Sequence, residues 1–474
     1  MRLSRALLEN FILKYPRIIS AILISPVILI ICNGEYYSNI FLLPLFYAIT
    51  ELLFNRKIEK RSSYVGGFIY QVALIAIYIR YVITPLSIGI TGSFYAYYGG
   101  TIVNTSSSNI QLAIFLMILE LISVYITLYF ARLYYSSKNN NCILNETQTI
   151  KNKVVLVSFL LLTIPIIIII EPNLIIPSDL FLLSEDFSKE QLDMAYSGAL
   201  NILSQMVRPT IFLVFMSEIK KKYNKTNKKI YTLLSFLLMV LFIGMYTGTT
   251  RWELVFAGII GIYLFKSLYA KVPKTLLLAT IVLITIAFFS ASLYKFSWAT
   301  KSSLNPIKDI TFEMFGMMQD YFSGPRSVAN SIEMKNAYTN QIGVTTFFND
   351  FLGSIPILSR YIEQSNRINA YFNIFHYRPI GHTTLIIPML GVGYSYFKIF
   401  PPIFSIVCYW LVIKFDYGLK KSKTLEYKYL YLYPGLYLAM AMGFNTQIIF
   451  TTILLRFLPL YILFKLNSLI CLRK

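Results

Sequence analysis

Residues 154–170 read VVLVSFLLLTIPIIIII, an apolar run that contains no charged residue. A transmembrane helix needs about 20 mostly apolar residues, and this run approaches that length. Similar runs recur along the whole chain, and we interpret twelve of them as membrane spans. The predicted spans are 18–33, 39–54, 64–83, 110–130, 154–170, 198–217, 230–246, 252–267, 275–293, 399–415, 429–444 and 447–466. The sequence therefore predicts an all-α polytopic membrane protein with about 12 transmembrane helices.

The composition agrees with a membrane location. Of the 474 residues, 56% are hydrophobic and only 14% are charged, whereas soluble domains average about 25% charged residues. The formal net charge is +21, but most cations lie in short segments between apolar runs, so we expect no nucleic-acid partner. Met1–Arg17 is basic and leads into the first apolar run without a small-residue cleavage pattern, so we expect no cleavable signal. The cysteines, which we expect to be free thiols without metal-binding spacing, are Cys32, Cys142, Cys408 and Cys471.

The distribution of lysine and arginine predicts the orientation. If the N-terminus is cytoplasmic, the segments on the inner side carry 29 of the 43 cations. The short outer loops 34–38, 84–108 and 445–446 carry none, and 171–197 carries only Lys189. Cytoplasmic loops of membrane proteins are enriched in Lys and Arg. We therefore expect both termini to be cytoplasmic.

One polar stretch interrupts the apolar pattern at residues 295–381. We expect it to form one large extracytoplasmic loop with short helices, which divides the chain into nine spans (1–294), the loop region (295–398) and three further spans (399–474). Residues 382–397 read HTTLIIPMLGVGYSYF and are apolar enough for a span. A span there would move the lysine-rich segment 414–428 to the outside, so we favour a re-entrant or surface-lying element.

Five charged residues fall within the apolar runs or near their ends. A charge at the bilayer centre costs roughly 2.5–3.5 kcal/mol on insertion scales, so such residues face the protein interior, pair with each other, or act in function. For each arginine, snorkelling to water or a structural ion pair is as good an interpretation as a functional role. Arg208 precedes Pro209 in the middle of its span and is the residue least able to reach water. The five residues are Arg80, Arg208, Arg456, Glu51 and Glu120.

The turn TGTTRWE at 247–253 joins two predicted spans at the outer face. It places Arg251 at the start of a helix and Glu253 in the first turn. Free N–H groups at a helix start, together with a guanidinium, form a suitable anion site. An interfacial anchor beside Trp252 is the alternative interpretation.

The polar stretch contains further candidates. TFEMFGMMQDY at 311–321 has helical apolar spacing and is expected to lie along the membrane surface, SGPR at 323–326 is expected to turn, and a helix is expected from Ser327. Arg360, Glu363 and Arg367 have a spacing that places them on one helical face, either as a solvated charge stripe or as a cationic patch for lipid phosphates.

HYRPIGH at 376–382 brings together His376, Arg378 and His382 without a nearby Cys or carboxylate at ligand spacing, which disfavours zinc. Histidine as a hydrogen-bond donor or proton carrier near an anion is the better interpretation.

The layout resembles the polymerases of O-antigen and capsular polysaccharide repeat units (the Wzy type) and the related O-antigen ligases. TGTTRWELVFAGIIGIYLF at 247–265 resembles the Gly-Ser/Thr-Arg turn of that family and indicates Arg251. HTTLIIPMLG at 382–391 resembles the ligase signature His-x-x-Leu followed by Gly and indicates His382. The spacing to the glycine departs by one residue, and Thr383 replaces the usual polar residue. The loop arginines match the family by location only.

The resemblance implies a glycosyltransferase of the bacterial inner membrane that uses no metal and no cofactor. Its substrate would be an oligosaccharide on undecaprenyl pyrophosphate, and its product O-antigen (lipopolysaccharide) or capsule polymer. Membrane lipids, a chain-length regulator and a flippase are the expected partners. Arg251, His382 and Arg378 are the expected catalytic residues. The expected substrate-binding residues are Arg208, Arg326, Arg360, Arg367, Asp320 and Glu253.

Two other functions fit the same layout. A flippase for lipid-linked oligosaccharides also has a dozen or more spans, but such transporters usually consist of two similar halves and lack a large loop. An O-antigen ligase would use the same donor and differ only in its acceptor. A non-enzymatic component of a sugar-export complex is a further alternative.

Overall fold

The computed structural model describes residues 15–32, 37–61, 66–92, 105–137, 147–170, 197–246, 251–269, 306–355, 358–377 and 385–472, with isolated residues at 34, 94, 174–175, 275–276, 278, 282 and 285. These residues are nearly all helical, and apart from one bridge between Gln148 and Thr424 they contain no β-structure. The helices described are α1 Pro16–Ile31, α2 Leu42–Arg61, α3 Phe68–Tyr78, α4 Thr84–Thr91, α5 Ser107–Ser137, α6 Val154–Ile170, α7 Ser197–Thr226, α8 Lys229–Gly244, α9 Arg251–Leu268, α10 Pro306–Tyr321, α11 Pro325–Ala337, α12 Val344–Leu352, α13 Ile368–Tyr377, α14 Met389–Tyr396, α15 Ile403–Lys421, α16 Leu425–Ala439, α17 Thr446–Thr451 and α18 Leu458–Leu472.

The contacts divide the chain into two compact units. The first comprises Met1–Asn141, Ala299–Tyr417 and Gly435–Phe450. In it α2 packs against α1 and α5, while α11 packs against α5 and α14. The second comprises Cys142–Trp298, Gly418–Pro434 and Thr451–Lys474. In it α7 packs against α6 and α8, and α8 also packs against α9.

Eleven of the twelve predicted spans fall on helices. The remaining predicted span, 275–293, lies outside the described residues except for isolated positions. Among the described residues, four continuous helices are long and apolar enough to cross a bilayer, and four shorter apolar helices accompany them. The long ones are Phe68–Thr91, Ser107–Ser137, Ile202–Thr226 and Thr446–Ile470, and the shorter ones are Pro16–Ile31, Leu42–Phe54, Val154–Ile170 and Lys229–Gly244. The all-helical prediction is confirmed for this part of the chain, and the count of twelve spans stays a prediction.

Outward-facing side chains of these helices are apolar as well. In α6, Leu161 and Leu162 are each 70% exposed and Ile169 is 81% exposed. A helix that is apolar on its exposed face as well as its buried face suits a lipid environment, because water would favour polar side chains there. The apolar helices therefore have the surface expected of a membrane protein.

Two of the long helices contain a wider π-helical segment, at Ile79–Ile83 and at Thr452–Phe457. Each segment is followed within two residues by a proline, Pro85 or Pro459. A proline lacks the N–H group, and its ring clashes with the carbonyl four residues earlier, which here lies inside the π segment. Widening the turn relieves that clash. Each π segment also carries one arginine.

The polar stretch contains short helices, as predicted. Helices α10 to α14 have 16 residues or fewer. The predicted SGPR turn is present: Ser323 has a left-handed φ of 49°, and α11 starts at Pro325, close to the predicted Ser327. The external location of this stretch stays a prediction.

The prediction of one helical face for Arg360, Glu363 and Arg367 is wrong. Two 3-10 turns, Leu358–Tyr361 and Gln364–Asn366, replace the helix, and Glu363 between them has an extended backbone. Arg367 then points into the protein, where it donates hydrogen bonds to the carbonyls of Asp350 and Gly353 at the end of α12. Carbonyls at a helix end lack partners within the helix, and the break lets Arg367 reach them, alongside the hydroxyl of Ser354, which also donates to the carbonyl of Asp350.

The apolar segment 382–397 contains α14, whose eight residues extend about 12 Å. This length is too short to cross a bilayer, and most of the helix is buried in the first unit. Gly391 faces Ser331 of α11, and Gly393 faces the carbonyl of Pro401. The segment thus includes a short helix buried in the first unit, and residues 382–384 lie outside the described part of the chain, so the re-entrant or surface-lying element stays a prediction.

Candidate functional site

The predicted site residues are distributed over both units. Arg208, Arg251 and Glu253 belong to the second unit, and the remaining candidates belong to the first. His382 and Arg378 lie outside the described residues. For Arg251, Arg360 and His376 the structure describes the backbone but not the side chain, and Arg251 is the first residue of α9, as predicted.

Arg208 lies in the interior of the second unit. Its side chain is only 4% exposed on the apolar helix α7. Its Nε and Nη2 donate to the carbonyl oxygen of Leu174, at 3.0 and 2.6 Å. Its guanidinium lies over the ring of Tyr246, 5.4 Å from the ring centroid. Within the described structure, Nη1 is buried and has no hydrogen-bond acceptor.

A buried guanidinium with an unused donor is energetically costly in an apolar helix. Its position cannot be explained by snorkelling, since the side chain is not at a helix end. The π face of Tyr246 supplies part of the compensation. Among the described residues, no acceptor compensates the burial of the Nη1 donor.

A glutamate and a second arginine, Glu253 and Arg456, lie within electrostatic range of this guanidinium. Glu253 in the first turn of α9 forms an ion pair with Arg456 from the second π segment. Arg456 also donates to the hydroxyl of Tyr433 and lies 5.6 Å from its ring centroid. Both Glu253 and Arg456 interact electrostatically with Arg208. The structure thus brings two predicted site residues together and adds Arg456, Tyr246 and Tyr433.

We call Arg208, Tyr246, Glu253, Tyr433 and Arg456 the arginine cluster. It contains two guanidiniums and one carboxylate, so its net charge is positive. Fixed guanidiniums in a water-poor site stabilise anionic oxygens strongly, because Arg presents several donors in a planar arrangement. The cluster lies close in sequence to Arg251 at the start of α9, where free backbone N–H groups also favour an anion. Its chemistry suits binding of a phosphate or diphosphate group.

The sequence contained a partial signal for the missed residues. Arg456 is a charged residue within an apolar run, which marks it as a candidate, but nothing in the sequence indicates its partner. Tyr246 and Tyr433 are two of 37 tyrosines in the chain, so composition alone does not single them out. Their roles become evident only from the packing of α8, α9 and the π segment.

Asp320 and Arg326 flank the turn between α10 and α11 in the first unit. The carbonyl of Asp320 accepts from the amide of Ser323, and Gly324 donates to the carbonyl of Gln319 at 2.7 Å. Both side chains are half-buried. Arg326 also interacts electrostatically with Tyr37. The turn is therefore a fixed part of the unit that presents one cation and one carboxylate.

Arg367 is buried in a structural network. Its Nε lies 3.8 Å from Oδ1 of Asp350. Oδ1 of Asp350 accepts from the amide of Ile368, and Oδ2 accepts from the hydroxyl of Tyr396 at 2.8 Å. Burial raises the pKa of Asp350 to about 6. These contacts connect α12, α13 and α14 and leave Arg367 engaged within the protein.

Two asparagines of α13 hold the chain segment at 385–387. Asn373 donates to the carbonyl of Leu385 and accepts from its amide, both at 3.0 Å. Asn369 donates to the same carbonyl and accepts from the amide of Ile387. These bonds satisfy backbone groups of a segment that belongs to no helix or strand. The asparagines thus hold residues 385–387 on α13. These residues follow His382 closely in sequence.

Metal-binding residues do not converge in the described ranges, where no three His, Cys, Asp or Glu side chains come together. Comparisons with protein-family models, curated proteins and solved structures find no match to this chain.

Proposed function

We propose that this chain is a membrane-embedded glycosyltransferase that polymerises oligosaccharide repeat units carried on undecaprenyl pyrophosphate. The observation that carries the proposal is Arg208, a guanidinium buried in an apolar helix with Nη1 lacking an acceptor among the described residues. Residues of this kind inside membrane helices usually mark a substrate or ion pathway. A diphosphate joined to a long polyprenyl chain meets both requirements of such a site, an anionic group and an apolar surrounding.

The predicted topology agrees with such a substrate. Twelve spans with both termini inside would place the start of α9 and the 295–398 region on the outer side of the bacterial inner membrane. A diphosphate carried on a polyprenyl chain in the outer leaflet would then be a substrate accessible from that side. O-antigen or capsular polysaccharide would be the product.

The reaction assigns distinct tasks to cations and to a base. A hydroxyl of the acceptor repeat unit attacks the anomeric carbon of the donor glycan, and the bond from that carbon to the diphosphate oxygen breaks. The departing undecaprenyl diphosphate gains negative charge, which Arg208, Arg251 and Arg456 would stabilise. The hydroxyl proton passes to a base, for which we propose His382 with Arg378 beside it. Arg326, Arg360 and Asp320 are proposed contacts for the sugars or the second lipid.

The test compares Arg208→Lys with Arg132→Lys. Arg132 is a suitable control because it is also buried and lies over a tyrosine ring, 4.7 Å from the centroid of Tyr70. Each variant replaces the wild-type copy in cells, and the surface glycan is separated by size. We expect Arg208→Lys to shorten the ladder toward single repeats, since lysine lacks the planar set of donors. Arg132→Lys is expected to retain the ladder.

A binding measurement separates folding from function. Thermal unfolding of the purified protein is followed with and without undecaprenyl diphosphate, which stabilises any protein that binds it in the folded state. We expect a shift for wild type and Arg132→Lys and none for Arg208→Lys. An equal shift in all three proteins would remove Arg208 from the site and leave the proposal without its main support.

The same purified protein distinguishes the alternatives. Incubation with lipid-linked repeat units alone gives a ladder if the protein is a polymerase. A ligase would give no ladder under these conditions but would transfer glycan when a lipid A core acceptor is added. A flippase would give neither product.

A further inference from the structure

Helix α12, Val344–Leu352, has its polar and apolar faces reversed relative to a helix on the surface of a water-soluble protein. Val344 is 74% exposed and Phe348 is 52% exposed, and Phe351 is exposed as well. With Leu352, these residues occupy an arc of roughly 100° on the helix. The outward face is therefore a continuous apolar stripe.

The opposite face is polar and buried. Thr346 and Asp350 are both buried, and each has internal partners. The hydroxyl of Thr346 donates to the carbonyl of Gln341, and Asp350 accepts from Ile368 and Tyr396. These bonds fix the rotation of the helix, so the apolar stripe cannot turn inward without breaking them. The exposure is thus a feature of the fold and not of a loosely packed helix.

A second exposed apolar segment adjoins α12. Phe397, Ile399 and Phe400 form an exposed turn before α15, and Ile399 is 99% exposed. The ring of Phe347 on α12 lies 6.4 Å from that of Phe397 and 5.8 Å from that of Phe348. The outward residues of α12 and of this turn therefore form one surface, which we call the aromatic patch.

The aromatic patch continues onto a helix that is long and apolar enough to cross a bilayer. Phe351 contacts Phe450, with ring centroids 5.2 Å apart. Phe450 belongs to α17, the first part of the apolar helix Thr446–Ile470. The turn at 397–400 leads directly into α15, which overlaps a predicted span. Lys398 is exposed within the turn, where an ammonium group suits lipid phosphates.

We propose that the aromatic patch lies in the lipid interface of the membrane, with α12 parallel to the bilayer surface and its apolar stripe among the acyl chains. An interfacial helix is recognised by an apolar face that enters the boundary between headgroups and chains, and by aromatic side chains at that depth. The contact with Phe450 places the stripe beside the start of an apolar helix, where this boundary is expected. The polar stretch is thereby attached to the lipid surface through α12.

The test measures which solvent reaches single spin labels in the full chain in lipid nanodiscs. Labels are introduced as Phe348→Cys and Val344→Cys, after Cys32, Cys142, Cys408 and Cys471 have been replaced by alanine. Ser365→Cys, in an exposed polar 3-10 turn, is the water-facing control, and Leu161→Cys on α6 is the lipid-facing control. Collisions with oxygen report lipid, and collisions with a water-soluble nickel chelate report water.

We expect labels at 344 and 348 to collide with oxygen more than with the nickel chelate, as at position 161, and the label at 365 to show the reverse. Val344 stands at the first turn of α12 and has few contacts, so it remains informative if Phe348→Cys unfolds the helix. Nickel collisions at 344 and 348 equal to those at 365 would overturn the proposal. Low collision rates with both reagents would also overturn it, because a protein partner or a second copy of the chain would then cover the patch.

Discussion

Arg80 and Glu120 form an ion pair in the interior of the first unit, with 3.1 Å between Nη2 and Oε2 and side chains 1% and 0% exposed. Arg80 also donates to the carbonyl of Met442, and Glu120 accepts from the hydroxyls of Tyr81 and Ser405. A small cavity beside Arg80 is lined by residues including Phe322, Tyr409 and Gly443. Both charges predicted in these spans therefore have protein partners, and we interpret this pair as structural.

Replacement of Glu120 by alanine is expected to destabilise the protein severely. Removal of one partner leaves the Arg80 charge buried without compensation, which typically costs about 3–5 kcal/mol. The double variant Arg80→Met with Glu120→Ala should be destabilised by less than the sum of the two single variants. Thermal unfolding in detergent measures all three.

The pair Lys153–Glu218, whose carboxylate is exposed, provides the control. Glu218 is 49% exposed, so Glu218→Ala should change the free energy of unfolding by less than about 1 kcal/mol. Equal effects of Glu120→Ala and Glu218→Ala would show that burial does not determine the cost.

The stability of the polar stretch is expected to depend on pH through Asp350. Burial raises the pKa of its carboxyl group to about 6, above the ordinary value of 3.8. The folded state therefore binds this proton more tightly than the unfolded state. The contribution of Asp350 to the free energy of unfolding is largest below about pH 4 and declines as the pH rises through about 6. The pKa of Asp350 differs by about two between the folded and unfolded states, which corresponds to a loss of roughly 3 kcal/mol in the free energy of unfolding across this pH range.

Asp350→Asn should abolish this part of the pH dependence, because asparagine does not titrate and still accepts from Ile368. The measurement is the unfolding temperature of Asp350→Asn minus that of wild type. This difference should increase as the pH is raised from 4 to 7. Glu363→Gln, at an exposed carboxylate, is the control. A constant difference across this range would show that Asp350 titrates normally.

Apolar periodicity predicted the helices well, because a run such as 154–170 is long, uniform and free of charge. It did not predict their irregularities in full. The π segment at 79–83 depends on Pro85. This proline is visible in the sequence, but we assigned it to the predicted outer loop 84–108. The error at Arg360, Glu363 and Arg367 has another origin. Regular spacing indicated a helix, whereas the fold uses Arg367 to satisfy carbonyls of α12, a tertiary contact that spacing does not reveal.

The candidate site, like the fold, was predictable from the sequence only in part. Arg208 and Glu253 were identified individually, since a charge in an apolar run and an acidic residue at a helix start are both visible in a sequence. Their proximity and the participation of Arg456 depend on how α7, α9 and the π segment pack. Pairing of residues more than 200 positions apart, such as Glu253 and Arg456, requires the three-dimensional structure.

Gly393 is expected to tolerate no side chain. A Cβ at this position would clash with the carbonyl oxygen of Pro401 and would lie 2.9 Å from its carbonyl carbon. Backbone atoms cannot rotate away as a flexible side chain does, so Gly393→Ala should cost roughly 1–3 kcal/mol. Thermal unfolding is the measurement.

Gly343→Ala serves as the comparison for this substitution. A Cβ there meets open space, and its φ of −157° is available to any residue. We expect its unfolding temperature to equal that of wild type or to exceed it slightly. A loss at Gly343 as large as that at Gly393 would contradict the steric explanation.

Asn373 should control the local stability of the segment that follows His382. Asn373→Ala removes the acceptor of the Leu385 amide and one of two donors to the Leu385 carbonyl, while Asn369 retains the other. An unsatisfied buried amide costs about 1–3 kcal/mol, and the segment can regain a partner by opening to water. Hydrogen exchange measured by mass spectrometry should therefore accelerate in the peptide covering 385–388 and remain unchanged in α5.

Asn336→Ala, at an exposed position of α11, should leave both rates unchanged. If exchange at 385–388 is equally fast in Asn373→Ala and wild type, the side chain does not hold this segment. If exchange accelerates and polymer formation falls in parallel, the bonds from α13 are required to position the residues around His382.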